Sequence, residues 1–236
     1  MARMTPEGLV ERLVSAFGDS LRAVVLYGSA VAGEHIANRS DYNVLLVADG
    51  LPLDALRAAG SATRAWTDDG NPPPLMFTSE EWLGSADVFP MEYADILERH
   101  RVLYGTLPVG DVAVGRDHLR LQVEQDARGK LLHLRQAFVG AGGDSATHLA
   151  VLEHTLTKLM VLYRGVLRLA GESRPTDYEE LTRAAARVAR FDADAVLRVV
   201  RHVRGTERVA ERDAPVVAGA YLEALSQLVR HLDAVQ

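Results

Sequence analysis

Residues 24–47 carry the densest grouping of chemically useful side chains in this 236-residue sequence. An apolar run, Val24-Val25-Leu26-Tyr27, ends in Gly28-Ser29, and eleven residues on, Ser40-Asp41-Tyr42-Asn43 opens a second apolar run. A glycine at such a bend lets backbone approach a ligand closely. Ser29 adds a hydroxyl, and the first turn of a following helical segment would offer free N–H groups and a positive dipole end, which together suit phosphate. Asp41 and Asn43 are two positions apart, so on a strand their side chains leave one face. Such an oxygen pair suits a divalent cation beside that phosphate, since Mg²⁺ is commonly held by one or two carboxylates and substrate phosphates. Other phosphate motifs fit less well. Gly28 and Gly33 have P-loop spacing, but Glu34 stands where lysine is required, and neither G-x-G-x-x-G nor G-x-S-x-G occurs here.

The elements that must position these residues are short in the first half of the chain. Residues 23–27, 42–47 and 75–77 read as strands, and residues 53–66 as a helix. Residues 90–104 read as further apolar β-like pieces around a charged centre. Ahead of them all, Thr5 and Pro6 open an amphipathic helix with Leu9, Leu13 and Phe17 on one face. After Gly105, Pro108 and Gly110 the pattern turns to helical spacing: Leu119, Val123, Ala127, Leu131 and Leu134, then Leu152, Leu156, Leu159 and Tyr163. Thr176 with Glu179 has the form of a capping box for a third helix. A fourth stops at Gly205, and Val217 to Leu232 traces a last one. The expected organisation is α+β: a mixed-sheet domain over residues 1–110, then an α-helical bundle over residues 111–236.

With the strand, Gly-Ser, the spacing and Asp41 in agreement, the sequence resembles the polymerase-β-type nucleotidyltransferase superfamily. That signature is an apolar residue, Gly, Gly or Ser, then about nine to thirteen residues and Asp-x-Asp or Asp-x-Glu in a strand. The order of a small mixed-sheet domain and a helical bundle is similar to that of kanamycin-type nucleotidyltransferases. The resemblance implies that Gly28 and Ser29, with Ser40 nearby, hold the phosphates of a nucleoside triphosphate, ATP being the expected one. It implies that Asp41 and its neighbour at position 43 ligate Mg²⁺, and that a third carboxylate completes the site. A hydroxyl-bearing acceptor would then attack the α-phosphorus and expel pyrophosphate. In the aminoglycoside enzymes a bundle glutamate serves as general base, which makes Glu124 and Glu153 candidates here. The same enzymes have their site near a dimer interface, so the resemblance allows a homodimer.

The motif departs from its pattern at Asn43, an amide where a carboxylate is expected. The third carboxylate is open among Asp68, Asp69, Glu80, Glu81, Glu92 and Asp95. Glu92 is taken as the third catalytic residue with Asp41, because it interrupts an apolar stretch, where a carboxylate needs a reason. The competing explanation is an ion pair with Arg99 or Arg101. The alternative for the whole protein is a degenerate relative that binds nucleotide or a protein partner without transfer.

Composition narrows the classes further. With 26 Lys and Arg against 32 Asp and Glu the formal net charge is −6, which gives no strong nucleic-acid signal. With no cysteine, thiolate zinc sites and Cys nucleophiles are excluded. No apolar run reaches membrane-span length, and the N-terminus lacks an apolar signal core, so the expected location is cytoplasmic. Arginines from Arg183 to Arg212 recur at mostly helical spacing and read as a solvated face.

Overall fold

The computed structural model describes residues 4–28, 31 and 42–234. The chain forms two compact units, residues 1–118 and 119–236.

In the first unit, α1 (Pro6–Phe17) starts where Thr5 caps it, its side chain accepting from the Gly8 N–H at 3.1 Å. The sheet has the order β3-β2-β1-β4, built from β1 (Leu21–Tyr27), β2 (Asn43–Ala48), β3 (Leu75–Thr78) and β4 (His100–Gly105). β1 is antiparallel to both β2 and β4, while β3 runs parallel to β2 after a crossover through α2 (Leu53–Asp68). Such a parallel step needs a crossover connection of this kind.

Both faces of the sheet are covered, and strand alternation sorts the side chains between them. Val24, Leu26, Val44 and Leu46 pack with Leu9 and Leu13 of α1 and with Ala62 and Trp66 of α2. Ala23, Val25, Leu45 and Val47 face the other way, against Phe77, Trp82, Tyr93 and Ile96. This double coverage explains why β1 and β2 read as continuous apolar runs rather than alternating ones. Gly105 ends β4 at φ +68°, and a Cβ there would lie 1.9 Å from the Arg22 carbonyl oxygen, so only glycine permits this approach to β1.

One expectation needs correction here. Residues 90–104 are not β-like throughout: Pro90–Glu98 is a helix, α4, and only His100–Gly105 is a strand. Pro90 fits the first helical turn, and Tyr93, Ile96 and Leu97 fall at helical spacing and pack together in the core on this face of the sheet. Local apolar density hid that period. A further short helix, α3 (Ser79–Gly84), is opened by a capping box of Thr78 and Glu81.

The second unit is helical: α5 (Arg116–Ala141, which begins in the first unit), α6 (Ser145–Leu169), α7 (Tyr178–Ala189), α8 (Asp194–Arg204) and α9 (Ala214–Ala234). The cap of α7 is Asp177, which accepts from the Glu179 and Glu180 N–H groups at 2.9 and 3.0 Å, and not Thr176. A carboxylate one residue later satisfies two orphan donors and meets the positive helix end. Gly205 closes α8 in the left-handed conformation, as expected of a glycine past a helix end. The arginine face is engaged with acids: Arg183 and Arg201 both pair with Glu179, and Arg198 with Glu207. Among the described residues no helix is long and apolar enough to cross a membrane.

Candidate active site

At the point where β1 ends and β2 begins, Tyr27 pairs with Asn43 across the antiparallel ladder. Gly28 follows Tyr27 directly and adopts φ +79°, a conformation that favours glycine. A Cβ built on Gly28 would lie 3.2 Å from the Asn43 side-chain nitrogen. The bend and the start of the second strand therefore meet, with the Asn43 amide set against the glycine. The Val31 N–H donates to the Gly28 carbonyl at 3.1 Å. Ser29, Ser40 and Asp41, the remaining motif positions, lie outside the described residues.

The start of β2 is pinned from below. The Tyr42 N–H donates to Oδ1 of Asn71 at 3.0 Å, and Nδ2 of the buried Asn71 donates to the Trp66 carbonyl at 3.3 Å. Trp66 in turn donates its indole N–H to the Pro72 carbonyl at 2.8 Å. The Tyr42 ring also sits against Trp66, with centroids 6.0 Å apart. Asn71 thus satisfies a backbone donor at the strand entrance, which would otherwise need water or another partner.

On the same sheet face, α4 supplies carboxylates. Alternation puts Tyr27 and Asn43 on the face of Val25 and Leu45, the one α4 covers. Tyr93 anchors α4 there: its ring stacks on Trp82 at 4.5 Å, its hydroxyl donates to the Trp82 carbonyl at 2.9 Å, and Phe77 meets it edge-on at 5.8 Å. Glu92 is exposed and Asp95 half-buried, one turn apart on α4. Both act on Tyr27. Burial pushes the Tyr27 phenol up to about 12, and the negative charges of Glu92 and then Asp95 add to the rise.

The expectation that Glu92 lies within an apolar β-like stretch is thereby corrected, since it lies on the exposed side of a helix. Nearby, Arg99 approaches Glu98 at 3.5 Å and Arg101 approaches Glu7 at 3.7 Å. The structure brings Gly28 and Asn43 together and directs the field of Glu92 at the residue preceding Gly28. The bundle candidates are occupied locally: Glu124 accepts from Arg120 and Arg128 at 3.0 and 3.2 Å, and Glu153 meets His202 at 2.8 Å.

One residue at this end of the sheet escaped the sequence reading. His100 pairs with Tyr27 on the β4 side, extending the row Asn43–Tyr27–His100. Its Nδ1 lies 2.7 Å from the Ile96 carbonyl, which can only accept, so Nδ1 carries the proton and Nε2 of the neutral ring is the acceptor. The signal was weak, because a lone histidine beside a misread helix has no spacing partner.

No protein-family model matches the sequence, and no curated protein matches it. Among solved structures the fold is similar to that of spectinomycin adenyltransferase AAD(9) from Enterococcus faecialis, crystallised with ATP and spectinomycin. The TM-score is 0.61, with 12% identity over 95% of this chain and 97% of that one. The likeness is one of overall fold, which in this chain is α+β, a mixed four-stranded sheet with a mostly helical remainder.

Proposed function

We propose that this protein transfers a nucleoside monophosphate from a nucleoside triphosphate, ATP first, to a hydroxyl-bearing acceptor. One observation carries the reading: Gly28 and Asn43 meet at the mouth of the β1–β2 pair, on the sheet face shared with the carboxylates of α4. The fold shared with an ATP-bound adenyltransferase supports it.

In this reading the Gly28 backbone and Ser29, with Ser40 beside them, hold the triphosphate. Asp41, the Asn43 amide oxygen and a carboxylate of α4 form an all-oxygen donor set, which fits Mg²⁺. Among the described residues no three His, Cys, Asp or Glu gather into a metal site by themselves, and in this reading Asp41 and the phosphates complete the set. Bound there, Mg²⁺ would neutralise charge on the phosphate oxygens. Glu92 takes the proton of the acceptor hydroxyl. The acceptor oxygen forms its bond to the α-phosphorus as the bond to the bridging oxygen breaks, and pyrophosphate leaves. In this reading the protein works in the cytoplasm, where nucleoside triphosphates are abundant, and assembly as a homodimer is testable by sedimentation.

The neutral Asn43 favours a second reading, a relative that binds nucleotide or a protein partner without transfer. Transfer of labelled nucleoside monophosphate with Mg²⁺ decides between them. Asp41→Ala is expected to abolish transfer with the melting temperature unchanged, and unchanged transfer would discard the site. ATP binding without transfer in the natural protein, together with transfer in Asn43→Asp, would establish the second reading.

A further inference from the structure

The sequence holds only two lysines, Lys130 and Lys158, against 24 arginines. Both line one cavity of about 650 Å³ in the helical unit. Its walls are α5 and α6 and its floor includes α9. Among the described residues α5 has no close backbone packing of the kind α6 makes with α7 and α9, which leaves room beside it.

The lining has two characters. Leu134, Val151, Leu159 and Leu225 make an apolar interior, with the buried Tyr221 hydroxyl 3.4 Å from that of Thr155. Around it stand Lys130, Lys158, His133 and His154. The lining's acid is Asp126, which takes the Lys130 ammonium at 2.7 Å one turn away. Among the described residues Lys158 has no acidic partner, unlike the acid-paired arginines of the α7–α8 face. In a chain of net charge −6 this is a locally positive rim over an apolar trough.

The dimensions suit a small molecule. Lining residues run from Gln125 to Ala137 on α5 and from Thr147 to Leu159 on α6. Each span is about 18 Å by helix rise. The volume falls within the usual range of ligand pockets. Lysine is a mobile point charge on an apolar stem, so it can lie along such a wall and still reach an anionic head. A cationic ligand would meet repulsion, and a neutral one would leave the rim unused.

We propose that this groove binds an amphipathic anion, a molecule with an extended apolar body and a carboxylate head. Lys158 and Lys130 hold the head, and the leucines of α5, α6 and α9 hold the body. The site is separate from the nucleotide reading and does not depend on it.

Isothermal titration of the full chain tests this, with dodecanoate and dodecyltrimethylammonium below their micelle concentrations and dodecanol below its solubility limit. Dodecanoate is expected to bind one to one, and dodecanol at least about tenfold more weakly, since a charge-assisted contact is lost. Lys130→Gln with Lys158→Gln should weaken dodecanoate by a similar factor and leave dodecanol unchanged. Val151→Trp should fill the trough and abolish both, with melting curves confirming that each variant folds. Asp41→Ala should bind dodecanoate like the natural protein, which separates this proposal from the transfer reaction. Absence of saturable binding, equal affinity for the three probes, or indifference to the lysine changes would overturn it. So would sedimentation showing a dimer that Val151→Trp dissolves, because a second copy would then be the occupant.

Discussion

The Asn43 side-chain amide stands 3.2 Å from where a Cβ on Gly28 would be, although the two residues are separated by fourteen others in the chain. The antiparallel pairing of Tyr27 with Asn43 creates this meeting. It gives the candidate site its shape, because glycine both tolerates φ +79° and leaves space for the amide.

Gly28→Ala should therefore weaken the protein and its nucleotide binding together. A left-handed alanine costs about 1 kcal/mol, and the Asn43 amide must also give way. Denaturant unfolding should show a lower midpoint with the slope unchanged, and ATP titration a lower affinity. A variant as stable as the natural protein would refute the close approach.

Asn71→Ala removes the acceptor for the Tyr42 N–H and empties a buried position. The expected loss is about 1–3 kcal/mol, the cost of an unsatisfied buried donor. Hydrogen exchange should quicken at Tyr42 more than at Leu45 or Leu46 in the strand centre. Equal acceleration along β2 would mean that Asn71 does not pin the strand entrance.

Alkaline pH should destabilise the first unit. Burial first, with nearby carboxylates adding, raises the Tyr27 phenol to about 12, and burial raises that of Tyr93 to about 12. A group whose folded value exceeds its unfolded value of about 10 contributes stability that is intact below pH 10 and lost as pH rises towards 12. Unfolding free energy should decline over that window, and less steeply in Tyr27→Phe. Glu92→Gln should lower the Tyr27 value, read by ultraviolet titration against Tyr27→Phe. No change on that substitution would remove Glu92 from the neighbourhood of the bend.

Asp177→Ala should cost about 1 kcal/mol through the lost cap of α7, with a lower melting temperature. Thr176→Ala should be close to neutral. The reverse order would restore Thr176 as the cap.

What the sequence determined by itself was local. The bend at Gly28, the strands around it and the long helical periods are written in near-neighbour chemistry: backbone freedom, β-branching and apolar spacing. Capping was nearly legible too, and missed by one residue, since Asp177 and not Thr176 accepts from the Glu179 and Glu180 N–H groups. Only tertiary structure decided that α4 is a helix, because its buried stripe is defined by Trp82, Phe77 and the sheet rather than by its own nine residues. Only pairing across the sheet set Asn43 against Gly28 and put His100 beside Tyr27. The groove is of the same kind: its two lysines lie 28 positions apart, and their shared wall exists because two helices flank one gap. Contacts between distant positions are chosen by the total burial and hydrogen bonding of the fold, and no window of sequence contains that sum.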